Sequence, residues 1–145
     1  MIASSSASAQ SSGVIAPYGG TLVDLMVATD QRVAVKASAN QVLECSDRNA
    51  CDVELLVVGG FSPQRGFMHQ GDYDAVVSGH RTPSGYLFGL PVVMDTDRED
   101  IAVGDRVLLT FKGQDLAVLE VDDKWEPDKV VEAKGCYGTT SLEHP

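Results

Sequence analysis

Two cysteines and a histidine are the first residues whose types suggest a metal site. Cys45 and Cys51 are six positions apart, and the nearest histidine is His69. A structural zinc ion takes four ligands, usually in tight pairs such as C-x2–4-C with H-x3–5-H, and this spacing does not supply them. Because free cysteine is among the most often buried residues, we interpret both cysteines as buried structural thiols and assign no metal ligand.

The histidines are the candidates for general-base catalysis. The chain has three of them, His69, His80 and His144, and each is a possible base for a serine or cysteine nucleophile. The G-x-S-x-G nucleophile elbow, however, does not occur in the sequence. We therefore interpret the histidines as solitary structural groups and assign no catalytic residue.

Two further segments could hold ions or phosphates. The glycine-rich run 59–63 (GGFSP) follows a predicted helix, whereas phosphates bind at helix N-termini. We therefore predict a turn and assign no cofactor-binding residue. The acidic run 95–100 (DTDRED) lacks the spacing and central glycine of a calcium-binding EF-hand, and we predict a solvated connecting loop.

Composition limits the classes of partner. The 145 residues carry a net charge of −10, which disfavours nucleic acid and anionic membranes as partners. The three cysteines, with Cys136 as the third, form no C-x-x-C pair, which is typical of free thiols in a reducing compartment and predicts a cytoplasmic protein.

Residues 1–13 form a Ser/Ala-rich leader that we expect to be disordered, and 14–145 form one predicted domain.

The first half of that domain has helical patterning. Helical spacing covers 28–38, and the short segment 42–45 is predicted to be extended. Ser46 has the character of an N-cap, and the Gly59-Gly60 pair that of a helix end. Asp72 is predicted to open another helix, whose apolar face is formed by Tyr73, Val76 and Val77.

The second half has strand patterning. The apolar run 87–94 predicts a strand that begins at or after Pro91 or carries a bulge. Residues 106–111 and 116–121 predict a hairpin around Lys112-Gly113. A short helix is predicted over 127–134, with Pro127 first and Gly135 ending it. The fold class is therefore α+β, with a late antiparallel sheet or barrel. The last residues close no element, from which we expect the chain to be part of a longer protein.

Five ordered motifs resemble one enzyme family. The segment PYGGTLVD at 17–24 is similar to the opening of the ATP sulfurylases, and their later landmarks follow in order: DVELL at 52–56 with GGFSP at 59–63 and GFM at 66–68, LPVVMD at 90–95, WEPDK at 125–129, and GTT at 138–140 with EHP at 143–145. Gln64 is a departure, since the family usually has leucine there.

The resemblance implies an N-terminal, PUA-like domain with a β-barrel-like C-terminal half. It also implies a parent enzyme, sulfate adenylyltransferase, that converts ATP and sulfate to adenosine 5′-phosphosulfate and pyrophosphate with Mg²⁺ during sulfate assimilation. The family's chemistry lies in a following domain, in a Q-[TS]-R-N-P-x-H-x-x-H segment and a Gly-Arg-Asp loop. Neither occurs in this chain, so the resemblance places no catalytic, cofactor-binding or metal residue on it.

Two alternatives remain open at this point. A free-standing PUA-like module could bind RNA, as PUA domains elsewhere do, although the net charge of −10 counts against it. An oligomerisation module is the other alternative, and it overlaps with the accessory-domain hypothesis. The partners implied by the resemblance are the catalytic domain of the same enzyme and other copies of that enzyme.

Overall fold

The fold is described from a computed structural model that covers residues 14–141 and 143. The predicted leader, 1–13, and three residues of the last landmark region, Leu142, His144 and Pro145, lie outside the described residues. The elements are, in chain order, α1 (Arg32–Ala37), β1 (Gln41–Glu44), α2 (Asp47–Val57), α3 (Gln70–Gly79), β2 (Arg106–Phe111), β3 (Gln114–Glu120) and α4 (Lys129–Tyr137). The predicted α+β class is confirmed.

Local signals explain the first helices. Ser46 caps α2, because its Oγ accepts a hydrogen bond of 3.1 Å from the amide of Asn49, as predicted. Gly59 follows the helix at φ 81°, a left-handed conformation that favours glycine. The helix predicted to open at Asp72 begins two residues earlier, at Gln70, because Asp123 from a distant loop accepts the Gln70 amide at 2.8 Å.

The sheet has three strands in the order β1-β2-β3. β1 runs parallel to β2, so the chain crosses over through α2 and α3 between them. β2 and β3 form the predicted antiparallel hairpin, closed by Lys112 and Gly113, both at positive φ. The register shifts between Leu109 and Thr110. Among the described residues the sheet is open, and β1 contributes to it from the first half of the chain.

The prediction of a strand within 87–94 is wrong. This segment lies outside the sheet and bends at 89–90; Val92 accepts a hydrogen bond of 2.8 Å from the amide of Met68, and Leu87 forms an isolated bridge with Arg81. Val92 is nevertheless buried. The apolar run therefore contributes single side chains such as Val92 to the core, whereas Leu87 and Leu90 are exposed.

The bounds predicted for the last helix are also wrong. Asp128, one residue after the proline, caps α4 by accepting from the amides of Val130 and Val131. Gly135 does not end the helix, since the left-handed C-cap is Gly138 at φ 72°. Gly135 lies inside α4 because a Cβ at this position would meet the backbone of Val77 in α3.

Two apolar clusters form the core. The first joins α2 to the sheet and includes Val53, Val107 and Leu109. The second joins α2 to α3 and includes Leu56 and Val76, and the latter has no exposed surface. Phe67 packs against both clusters. Among the described residues, no helix combines the length and the apolar composition needed to cross a bilayer.

Candidate interaction cleft

A cleft of about 1500 Å³ is a prominent concave feature of the described residues. It lies between the α2 side of the sheet and the segments that follow β3 and precede α3. Its apolar lining includes Phe67, Leu119 and Val121, and its polar lining includes Gln64 and Trp125. A cleft of this size exceeds what a folded core leaves empty, so it is a candidate binding region.

Two elements hold Trp125 at one side of the cleft. The rings of Trp125 and Tyr73 lie 5.7 Å apart, centre to centre. The Tyr73 hydroxyl donates a hydrogen bond of 2.8 Å to the Glu132 carboxylate, which ties α3 to α4. Burial, followed by this hydrogen bond, raises the pKa of Tyr73 well above its usual range. Tyr73 is therefore held neutral as a structural donor.

Two buried donors that line the cleft have no acceptor. Neither Gln64 Nε2 nor Trp125 Nε1 has a hydrogen-bond partner within 14–141 and 143, although both residues line the cleft. A buried donor left without an acceptor destabilises the fold by the cost of its lost hydration. Both donor atoms are covered by protein, so they are unsatisfied groups of the fold and are not exposed to an occupant of the cleft.

The cleft carries an excess of negative charge. Nine carboxylates line it against five cationic side chains. Glu120, Asp122 and Asp123 cluster where β3 ends. Such a surface favours a cationic or neutral occupant over an anion.

The acidic run 95–100 borders the cleft and is fastened to the sheet. Arg98 forms two bonds of 2.6 Å with Asp100, and also donates to the backbone carbonyl of Val42 and to Oε1 of Gln41. This guanidinium holds the pKa of Asp100 below its usual range. The predicted connecting loop therefore also binds the outer edge of β1 through Arg98. No sequence signal indicates that role, because the partners are 56 or 57 residues away.

The cysteines and histidines do not form a shared site. Cys45 is buried, and burial with the neighbouring Glu44 raises its thiol pKa. Cys51 is exposed, so the prediction that it is buried is wrong; it lies on the face of α2 opposite the buried Ala50 and Val53. Within the described residues, no group of three or more His, Cys, Asp or Glu side chains is placed to hold a metal ion.

The two described histidines flank α3. His69 is its N-cap residue without a side-chain cap, and lines the cleft, whereas His80 is its left-handed C-cap. His144 lies outside the described residues. In the glycine-rich turn, the Ser62 hydroxyl donates to the Gly59 carbonyl at 2.6 Å and accepts from the Val23 amide at 3.0 Å. The predicted turn is thus confirmed, and it fastens the segment that contains the first resemblance motif.

Comparison with known proteins places the chain among relatives of sulfate-activating enzymes. Residues 15–145 match the PUA-like domain family. The chain is 42% identical over 139 residues to a sulfate adenylyltransferase of Neurospora crassa and 40% identical over 140 residues to one of Yarrowia lipolytica; each match covers 89% of this chain and 24% of the relative. The chain thus spans about a quarter of the length of the curated relatives it matches.

A solved structure matches as well. The hexameric APS kinase from Thiobacillus denitrificans superposes with a TM-score of 0.69 and 32% sequence identity, over 79% of this chain and 24% of that one. The resemblance inferred from the ordered motifs is confirmed by these matches. The chain therefore belongs to the PUA-like domain family, and its curated relatives are sulfate adenylyltransferases.

Proposed function

We propose that the chain acts as the N-terminal accessory domain of a sulfate adenylyltransferase. The parent enzyme would convert ATP and sulfate to adenosine 5′-phosphosulfate and pyrophosphate, in the cytoplasm and as part of sulfate assimilation. The observation that carries the proposal is the 42% identity over 139 residues to one quarter of the Neurospora crassa enzyme.

The charge of this chain supports an accessory role. ATP and sulfate are both anions, and an enzyme that joins them needs positioned cationic donors. The cleft is lined by more carboxylates than cations, and within the described residues no group of three or more His, Cys, Asp or Glu side chains is placed to hold a metal ion. These residues do not fit Mg²⁺-ATP, so the nucleotide and metal are proposed to bind elsewhere in the parent enzyme, and no chemical step is assigned to this chain.

Oligomerisation is a second role that an observation favours. The solved neighbour that covers 79% of the chain is described as hexameric. We propose that the parent of this chain is also a homo-oligomer, in which the PUA-like domain contacts the catalytic domain of the same enzyme. An RNA-binding role is disfavoured by the net charge of −10.

A domain-replacement experiment tests the accessory role. Residues 15–145 would replace the matching quarter of the Neurospora crassa enzyme, and pyrophosphate release from ATP and sulfate would be measured. We expect the hybrid to retain activity within about tenfold of the intact enzyme, a loss of about 1.4 kcal/mol in transition-state stabilisation. A hybrid with an unrelated domain of similar size is the control and is expected to be inactive. If both hybrids are equally inactive although folded, the proposed function is wrong.

A further inference from the structure

Helix α2 has a second apolar face, which is exposed. Its buried face carries Val53 and Leu56, whereas Cys51, Leu55 and Val58 lie at i, i+4 and i+7 on the opposite side. Cys51 is exposed, and the exposed fractions of Leu55 and Val58 are 42% and 56%. Because a helix with apolar residues on two faces is usually buried on both, the second face indicates a contact that the described residues do not supply.

The Gly59-Gly60 turn joins this face to Leu22. A Cβ on Gly59 would lie 2.8 Å from Cδ1 of Leu22, and a Cβ on Gly60 would lie 2.9 Å from Cδ2 of Leu55. The two leucine side chains, of which Leu22 is 56% exposed, therefore reach the same turn from two segments of the chain. The surface is called the α2 patch and consists of Leu22, Cys51, Leu55 and Val58.

Both leucines belong to segments through which the chain resembles the ATP sulfurylases. Leu22 lies in 17–24 and Leu55 lies in 52–56. Neither side chain is part of the two apolar clusters that form the core of the described residues. The core of this chain therefore does not explain why these leucines occur in the resembling segments, which points to a contact outside the chain.

The size of the patch selects the kind of partner. Stable association of two free proteins buries about 800 Å² on each partner, from about 20–30 residues, and the α2 patch has far fewer. A domain on the same polypeptide is held at a high effective concentration and needs less contact area. The relatives contain further polypeptide of this kind, because the match covers only 24% of the Neurospora crassa enzyme.

We propose that the catalytic domain of the parent enzyme docks on the α2 patch through an apolar surface of its own. This inference rests on the proposed accessory function and deepens it by naming the contact between the two domains. A second copy of the chain is the alternative occupant, and its measurable consequence is dimerisation of the free chain through the patch.

Alkylation of Cys51 by a maleimide tests the proposal. Its thiol is exposed within the patch, whereas Cys45 is buried. The labelling rate would be followed by peptide mass spectrometry in the free chain and in the hybrid, in which 15–145 replaces the matching quarter of the Neurospora crassa enzyme. Val33→Cys supplies the control thiol, since Val33 is 79% exposed on α1, outside the patch.

We expect Cys51 to be labelled at least about tenfold more slowly in the hybrid than in the free chain, and the thiol of Val33→Cys to be labelled at similar rates in both. Equal rates for Cys51 in the two proteins would overturn the proposal. Slow labelling of Cys51 in the free chain would also overturn it, because the patch would then be covered by this chain or by a second copy. Protection that disappears when the hybrid is diluted to monomers would assign the patch to a contact between copies and contradict the proposal.

A matched pair of variants provides a second measurement. Val58→Lys places a cation in the patch and Val33→Lys places one on α1, and both valines are more than half exposed. We therefore expect neither variant to change the urea midpoint of the free chain. In the hybrid, Val58→Lys should lower the midpoint because docking would bury an unpaired charge, whereas Val33→Lys should not.

The hybrid separates failure of this inference from failure of the proposed function. An inactive hybrid without further substitutions would contradict the accessory function on which the docking surface rests. An active hybrid whose midpoint is unchanged by Val58→Lys would refute the docking surface alone.

Discussion

Gly135 allows the backbones of α4 and α3 to lie directly against each other. A Cβ at this position would lie 2.9 Å from Cγ1 of Val77 and closer still to the Val77 carbonyl oxygen. The backbone of a packed helix cannot move aside as the end of a flexible side chain can. Glycine is therefore required here by the distance between two helices, although its sequence context suggested only a helix end.

Gly135→Ala should destabilise the chain even though alanine is the better helix former. Overpacking of this kind costs about 1–3 kcal/mol, which exceeds the roughly 1 kcal/mol that alanine gains in a helix. The free energy of unfolding from urea titration measures the outcome. Gly79→Ala is the control, since nothing lies within 4 Å of a Cβ there, and it should be neutral or stabilising. A stabilised Gly135→Ala variant would contradict the packing described for α3 and α4.

Tyr73 makes the stability of the fold pH-dependent in the alkaline range. The pKa of its hydroxyl is raised in the folded state, first by burial and then by the bond to Glu132. The stabilisation is therefore complete below the tyrosine pKa of the unfolded chain, about 10, and is lost as the pH rises above it, because the unfolded state then releases its proton first.

Tyr73→Phe tests this dependence. The variant should lose about 1 kcal/mol of unfolding free energy near pH 7, since the hydrogen bond to Glu132 is removed. Between pH 9 and about 11, its stability should fall less steeply than that of the unchanged chain. Tyr86→Phe is the control, because the half-buried Tyr86 ring packs edge-on against Tyr18 and the variant keeps that ring. Parallel pH profiles for Tyr73→Phe and the unchanged chain would disprove the assigned role.

At the scale of elements, the sequence correctly predicted the helices and turns that are stabilised by contacts within one segment. Helix α2 was predictable because its cap, Ser46, and its apolar face lie within one segment. The hairpin was predictable because Lys112 and Gly113 close it directly. The pairing of β1 with β2 was not predictable, because Gln41 and Val107 are far apart in the sequence and become neighbours only in the folded chain. The cleft was missed for the same reason: Gln64 and Trp125 are brought to it from segments far apart in sequence.

The start of α4 depends on Asp128 and gives a prediction for that element. Its carboxylate accepts at 2.9 Å from Val130 and at 3.1 Å from Val131. Asp128→Ala should therefore cost about 1 kcal/mol, as loss of an N-cap usually does. Urea unfolding gives the difference. Glu126→Ala removes an exposed negative charge two residues earlier without removing a cap, and should change the stability by less than about 0.5 kcal/mol; equal losses in the two variants would indicate a charge effect instead.

At the scale of the whole molecule, one side chain links the two core clusters. Phe67 packs against the sheet cluster and against the α2–α3 cluster, whereas Phe88 packs against the second alone. The sequence predicts one domain over 14–145, and its cooperative unfolding depends on the contacts between these clusters. Single domains of this size usually unfold in one transition.

Phe67→Ala should therefore uncouple the two clusters as well as destabilise them. Loss of a large core side chain costs about 3 kcal/mol, and here the loss also removes the shared contact. We expect far-ultraviolet circular dichroism and Trp125 fluorescence to give one urea midpoint in the unchanged chain and two different midpoints in the variant, because Trp125 packs on α3 through Tyr73. Phe88→Ala should lower both midpoints together, since its contacts belong to the second cluster. Coincident midpoints in Phe67→Ala would show that other contacts hold the clusters together, and separated midpoints in the unchanged chain would refute a single cooperative domain.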